Sequence, residues 1–398
     1  ATQWRLALEE ATGNDWTQFF NEWYYRGGHP QLKVSYHFDD VACKLQVNVR
    51  QISSPDSSFK YVLPLKTALM FGANDVQLFD WKIADKNTNF SYNYKNNQRP
   101  LIIPDAGHFL PGIITEDKPL DDWMKQLKWS DNYISKVESI DAAINAESQP
   151  MSIEIVAAGM EDKLPGVRAY AFSQAARISR ESWKTQLAAK ITYALETESN
   201  NKARAAALLL AGAWKQTKDE GQILKAVTDQ SYVVGGAALA AMLQIDPDRA
   251  YALAENLRDT QPKNALLYAV WAAIVTKGNP GDIARFEEMA PTFYGGTKVA
   301  FANVLDEYAK AVTDNVIFER TLNLLLKMST DESIKNYRFS IGANLVSIQR
   351  YYQKLVDEKK DKSGEAAVRL TMAKRSTLTL FAAEKDLDNV RKWKVMGR

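Results

Sequence analysis

Large aromatic residues recur near the start of the chain at Trp16, Phe19, Phe20, Trp23 and Tyr24. This i, i+3, i+4, i+7, i+8 series gathers them on one face of a helix. Asn14 or Asp15 is placed to cap its first turn, and Gly27-Gly28 to supply the left-handed residue that ends it. One earlier helix, Thr2 to Ala11, is all that precedes the stripe. So apolar a ridge must pack against something large. The expectation is therefore that the body it served lies upstream and is missing. Ala at position 1 fits a processed product.

After Pro30 the period changes to two. Leu32, Val34, Tyr36 and Phe38 alternate with Lys33, Ser35 and His37, and Leu45, Val47 and Val49 repeat the pattern after an Asp39-Asp40 turn. Further runs at Phe59 to Leu65, Val76 to Ile83, Phe90 to Tyr94 and Leu101 to Ile103 read as strands. Ser53-Ser54-Pro55-Asp56, Gly72-Ala73-Asn74-Asp75 and Asp85-Lys86-Asn87 supply the turns between them. Short strands at this spacing predict a β-sandwich over about 31–115.

From Pro119 on the strand signal vanishes. Asp121 to Trp129 and Asn132 to Ala146 read as helices, with Asp121 favoured near a helix N-terminus by the dipole. The rest is alanine-rich and helical in period. Val167-Arg168-Ala169-Tyr170-Ala171 begins a weak internal repeat. Ala203 to Ala207, Val234 to Ala238, Asn264 to Tyr268 and Thr297 to Phe301 continue it at intervals of about thirty to thirty-six residues. This spacing predicts stacked helix pairs. The segment Glu161 to Arg168 is the clearest unit: Pro165 separates two helices, and Asp162 or Glu161 is placed to pair with Arg168 or a neighbouring repeat. Asp357 to Glu365 reads as a charged loop or frayed end between the last two helices. The fold class predicted is multidomain α + β: a short helical piece (1–28), a β-sandwich (29–116) and a mainly α-helical HEAT/armadillo-like solenoid (117–398).

Composition changes little. The 398 residues are 46% hydrophobic and carry a net charge of +2, which gives no electrostatic case for nucleic acid. The longest apolar runs, Ala205 to Trp214 and Leu266 to Val275, fall short of the ~20 residues of a membrane span and predict buried helices. Cys43 is the only cysteine, so no internal disulfide forms. Localisation stays open, with the asparagine-rich stretch Asn87 to Asn97 leaning toward a bacterial periplasm or envelope.

The run Leu8-Glu9-Glu10-Ala11-Thr12-Gly13-Asn14-Asp15-Trp16, followed by Phe19-Phe20, Trp23-Tyr24 and Gly28-His29-Pro30, resembles the end of the catalytic domain in M1-type (gluzincin) zinc aminopeptidases. In that family such a segment leads through Gly-His-Pro into a β-sandwich. The resemblance covers about thirty residues closely and the remainder only in architecture. It implies a parent enzyme that removes N-terminal residues from peptides with a zinc-activated water. It also implies a helical domain that closes over the catalytic cleft. The partners it implies are the upstream catalytic domain and peptide substrates; any secretory signal would belong to that upstream part.

The family's zinc sits on a His-Glu-x-x-His helix, whose two histidines lie one turn apart so that both imidazoles face the metal. The histidines here are His29, His37 and His108, none four residues from another. They read as surface or turn residues. Cys43 reads as a small buried hydrophobe in a strand. Gly235-Gly236 and Gly295-Gly296 lack the lysine or third glycine of a phosphate loop and read as helix junctions. The adjacent pairs Asp39-Asp40, Asp121-Asp122 and Glu287-Glu288 point to different faces and do not converge. Arg168 and Arg204 read as salt-bridge residues within the repeat rather than groove-lining ones. No catalytic, cofactor-binding or metal residue is therefore assigned in this chain, and zinc is expected in the parent. A non-catalytic interaction scaffold of the same architecture is the alternative reading.

Overall fold

Helix α1 (Thr2–Thr12) ends at Gly13, whose left-handed backbone (φ +68°) lets the chain turn and its N–H return to the Glu9 carbonyl. Helix α2 (Thr17–Trp23) follows. Its N-cap position is Trp16, which has no side-chain cap bond; Asp15, one residue earlier, accepts the Thr17 N–H at 2.8 Å. The helix closes at Tyr24 in a right-handed conformation, before the expected Gly27-Gly28; Gly28 (φ +104°) serves the turn into the first strand instead.

The structure, a computed structural model, describes residues 1–52, 59–95, 98–361 and 363–397. The expected Ser53 to Asp56 turn lies outside them, as do Asn96 and Asn97. The chain divides into two units, Ala1–Leu187 and Ala188–Arg398.

In the first unit, strands β1 (Gln31–Asp39), β2 (Lys44–Gln51), β5 (Asn87–Asn93) and β7 (Ile113–Asp117) form one sheet in the order β5-β2-β1-β7, with only β1 and β7 parallel. Strands β3 (Leu63–Gly72), β4 (Asp75–Ile83) and β6 (Leu101–Ile103) form the other, in the order β4-β3-β6. Leu32, Val34, Leu45, Val47 and Val49 from the first sheet share a core with Leu63, Leu65, Leu69, Trp81 and Ile83 from the second. This is the buried face that the period-two pattern predicts.

The expected strand at Phe59 to Leu65 is displaced. Phe59 to Val62 is extended but lies outside a sheet; the Gln51 carboxamide stands in for a neighbouring strand, accepting the Tyr61 N–H and donating to its carbonyl, both at 2.8 Å. The paired strand begins at Leu63 and continues to Gly72. Its second half hides both faces, with Ala68 and Met70 packing with Ile103 and Trp129 on the side away from the sandwich core. Alternation is therefore lost where the strand is most buried. Cys43 is likewise not in a strand: it ends the β1–β2 turn with φ +49°.

Helices α3 (Leu120–Trp129), α4 (Tyr133–Asn145), α5 (Pro150–Met160) and α6 (Pro165–Ala175) complete the unit, and α7 (Glu181–Thr197) crosses the division. Asn132 caps α4, and Pro165 opens α6 where its missing N–H costs nothing. Of the partners expected for Asp162, Arg168 or a neighbouring repeat, its carboxylate takes the latter kind, accepting the buried Lys136 ammonium of α4 at 2.6 Å; the Arg168 guanidinium donates to the Asp162 backbone carbonyl at 2.8 Å.

The second unit is helical: α8 (Asn201–Ala213), α9 (Glu220–Val227), α10 (Tyr232–Ile245), α11 (Pro247–Leu257), α12 (Asn264–Ile274), α13 (Asp282–Met289), α14 (Gly295–Ala311), α15 (Asn315–Thr330), α16 (Lys335–Asp357), α17 (Glu365–Ala383) and α18 (Leu387–Met396). The repeat segments open alternate helices α6, α8, α10, α12 and α14. Within the unit α8 packs on α10, α10 on α12 and α12 on α14. Gly235-Gly236 lies inside α10 rather than at a junction. A Cβ on Gly236 would stand 2.5 Å from the Ala265 carbonyl carbon, and one on Gly212 2.5 Å from the Ala241 Cα. Absent side chains let these backbones meet. Both long apolar runs are helices buried in this stack, and among the described residues no helix is long and apolar enough to cross a membrane.

Candidate functional site

The aromatic stripe divides into an anchor and a shelf. Phe20 is fully buried, and Trp23 packs on Tyr61 with ring centroids 5.2 Å apart. Glu22, also buried, accepts the Val62 N–H at 3.2 Å and pins α2 to the start of β3. The remaining rings face outward: Trp4, Phe19, Tyr24 and Tyr25 are each 40–56% exposed. The rings do gather as the spacing predicts, Tyr24 stacking on Phe20 at 4.7 Å, but Phe20 alone of them is fully buried while Phe19 and Tyr24 stay open to solvent. Trp4 of α1 meets Tyr24 edge-on at 5.5 Å, so the two helices present a continuous aromatic surface. Beside it opens a cleft of about 810 Å³ that Trp16, Phe19, Leu63, Leu65 and Phe109 line. Phe109 is 84% exposed.

A second feature of this unit is a buried polar network. Tyr36 on β1 donates its hydroxyl to Glu116 on β7. Lys118 lies 2.9 Å from Glu116, donates to the Gln126 carboxamide at 2.7 Å and sits 4.3 Å above the Trp123 ring. Gln126 in turn donates to the Ser135 carbonyl at 2.8 Å and reaches Glu138 at 3.4 Å. His108, held at φ +51°, places Nε2 2.8 Å from the Ser135 hydroxyl and Nδ1 3.8 Å from Glu138. Burial pushes the His108 imidazole below its ordinary range and the Tyr36 hydroxyl well above its own, the latter reinforced by Glu116. Burial, then the Glu116 charge, pushes the Glu138 carboxyl up to about 7, although 42% of its side chain still meets solvent.

Serine, histidine and carboxylate stand here in the order of a hydrolase triad. Ser135 is nevertheless only 1% exposed, in the first turn of α4, with its carbonyl already taken by Gln126 and Ser139. A substrate carbonyl has no approach to that hydroxyl, and the group acts as a latch between the strands, α3 and α4. The sequence alone makes His108 a surface or turn residue; its partners lie 27 and 30 positions away (Ser135 and Glu138), a separation that carries no local signal.

His29 and His37 are exposed, before and on β1. Among the described residues no group of three His, Cys, Asp or Glu is placed to hold a metal. One member of each carboxylate pair is held by a cation: Asp40 by Arg99, Asp122 by Lys125, Glu287 by Arg320. Arg99, followed by Tyr94, holds Asp40 down at about 2. Arg204 donates to Asp229 at 2.8 Å, the ion-pair role expected of it.

No protein-family profile matches the chain, and no curated protein matches it in sequence. In structure it is similar to Legionella pneumophila aminopeptidase A, solved in complex with aspartic acid, with a TM-score of 0.58 at 12% identity over 99% of this chain. The chain spans about half of that protein, 51% of its length. The fold is therefore aminopeptidase-like.

Proposed function

We propose that this chain is the C-terminal portion of an M1-like zinc aminopeptidase, with a catalytic, zinc-holding part encoded upstream. On this reading residues 1–28 are the last helices of a thermolysin-like catalytic domain, 29–116 the β-sandwich, and 117–398 a HEAT/armadillo-like helical domain. Its work is to support and gate the cleft where N-terminal residues are removed from peptides; it contributes no zinc ligand or catalytic group. The observation that carries the proposal is the outward aromatic shelf of α1 and α2. Rings 40–56% exposed and gathered on two short helices mark a surface that a large apolar partner covers. The likeness to one half of an aminopeptidase supports the reading that this partner is an upstream catalytic part.

The test is direct. The coding sequence upstream of Ala1 is expected to contain His-Glu-x-x-His followed by a further glutamate. The chain alone is expected to bind no stoichiometric zinc and to leave aminoacyl-anilide substrates intact, with activity appearing only when the upstream part is joined. An upstream region that folds like a catalytic domain but lacks the motif would favour the scaffold reading. Hydrolysis by the isolated chain that survives replacement of His29, His37 and His108 would refute the division of labour.

A further inference from the structure

The second unit holds a cleft of about 760 Å³ along α15, within the size range of sites for small ligands and short peptides. Its floor is apolar: Leu324 and Met328 are 9% and 4% exposed, and Ala290 and Phe293 close one side. Most charges around it neutralise one another. Glu287 receives Arg320 through two hydrogen bonds of 3.0 and 2.6 Å, and Glu332 lies 3.3 Å from Lys298.

Three groups along the α15 wall differ. Among the described residues the Asn323 carboxamide, the Lys327 ammonium and the Asp331 carboxylate have no side-chain partner, although all three border the cleft. A carboxamide offers one acceptor and a pair of donors, the complement of a peptide unit. An unpaired ammonium beside an apolar floor attracts a carboxylate. Asp331 lies one helical turn beyond Lys327, so a second acidic group past Lys327 would meet an unpaired carboxylate, whereas Glu332 is held by Lys298. A single acidic group at the end of the bound segment fits this arrangement. From Arg320 to Lys327 the helix rises ~10 Å, the length of about three extended residues.

We propose that this cleft binds a short extended peptide with an acidic end. Its carboxylate meets Lys327, a backbone amide meets Asn323, and an apolar side chain rests on Leu324 and Met328. The site lies wholly in the second unit and does not depend on the upstream assignment, because binding is read on this chain alone.

Isothermal titration of the full chain with acetyl-Leu-Ala-Leu, its C-terminal amide and acetyl-Leu-Ala-Asp-amide tests it. The free acid is expected to bind. Amidation should weaken it by about tenfold or more, the loss of one charge-assisted hydrogen bond. Recovery with the aspartyl amide would assign recognition to any terminal acidic group; no recovery would assign it to the α-carboxylate. Lys327→Glu should reproduce the amide's loss, and Asn323→Ala should weaken all binding peptides alike. Both positions lie on the cleft wall of α15, and circular dichroism verifies that the variants fold. Equal affinity for acid and amide, undiminished binding by Lys327→Glu, or no heat from any peptide at millimolar concentration would overturn the proposal.

Discussion

Lys136 and Asp162 form a salt bridge of 2.6 Å in which the side chains are only 2% and 8% exposed. The same ammonium donates to the Leu127 carbonyl, and the carboxylate also accepts the Leu164 N–H at 2.8 Å. One ion pair thus ties the end of α3, the body of α4 and the turn into α6.

Removing one partner strands the other. Lys136→Met is expected to cost about 3–5 kcal/mol, since a buried carboxylate is left without its cation. Adding Asp162→Asn should restore at least half, because the Leu164 cap survives. Urea unfolding followed by tryptophan fluorescence measures both, and a single-variant loss below about 1 kcal/mol would show that the pair is not closed in solution.

Arg369 is a buried cation satisfied by neutral oxygens. It donates to Asn315 at 2.9 Å, to the Val312 carbonyl at 2.7 Å and to Tyr352 at 3.1 Å, and also to the Thr313 carbonyl. These bonds cap the C-terminal end of α14. Arg369→Ala should destabilise by about 3 kcal/mol or more. Arg369→Lys should recover less than half of that, as a single ammonium cannot reproduce the planar fork. Full rescue by lysine in thermal unfolding would argue against the cap.

Glu138 gives stability a pH dependence of definite sign. Its folded value of about 7 lies above the ~4.3 of an unfolded glutamate, so the folded state keeps an extra proton between them. That contribution is present below pH ~4.3 and fades as pH rises toward 7. The depressed His108 acts oppositely, losing stability as pH falls below ~6.5. Glu138→Gln isolates the first effect: the variant should gain on the parent between pH 5 and pH 8. Melting curves showing the same offset at both pH values would rule this out.

Glycines separate two kinds of helix position. Gly236→Ala should destabilise by about 1–3 kcal/mol, because its Cβ would strike backbone atoms of Ala265 that cannot move aside. At Gly221, inside α9, an added Cβ would meet nothing within 4 Å. There alanine should stabilise by about 0.4–1 kcal/mol through the unfolded chain. Denaturation midpoints moving in the same direction would contradict the packing described.

The elements are legible wherever one face is buried and the other wet. Leu32 to Phe38 and Leu45 to Val49 announce themselves by alternation, and Asn132 and Pro165 mark helix starts. Legibility fails where burial is two-sided or the partner is distant. Thr67 to Met70 hides both faces, so β3 loses its period. Tyr61 resembles a strand residue because a side chain, Gln51, imitates a strand. Sequence leaves Asp162 a choice between Arg168 and a neighbouring repeat, and only the fold singles out Lys136, 26 positions earlier, as the cation that reaches its carboxylate. In the His108–Ser135–Glu138 group only Ser135 and Glu138 share a helical spacing, and His108 joins them from 27 positions away; the α15 cleft residues Arg320, Asn323, Leu324, Lys327 and Met328 do share one, but it does not distinguish a cleft wall from an ordinary helix face.

Where α8, α10 and α12 touch through Gly212, Ala241, Gly236 and Ala265, few flexible groups lie between the helical backbones. Such seams have almost no rotamers to exchange, so they resist shearing and deform little under stress. Around Trp271, Phe286 and Phe301 bulky rings return between the helices. Beside the α15 cleft, where Phe293 meets Trp271, neighbouring helices are thus held apart by side chains instead of touching backbone to backbone.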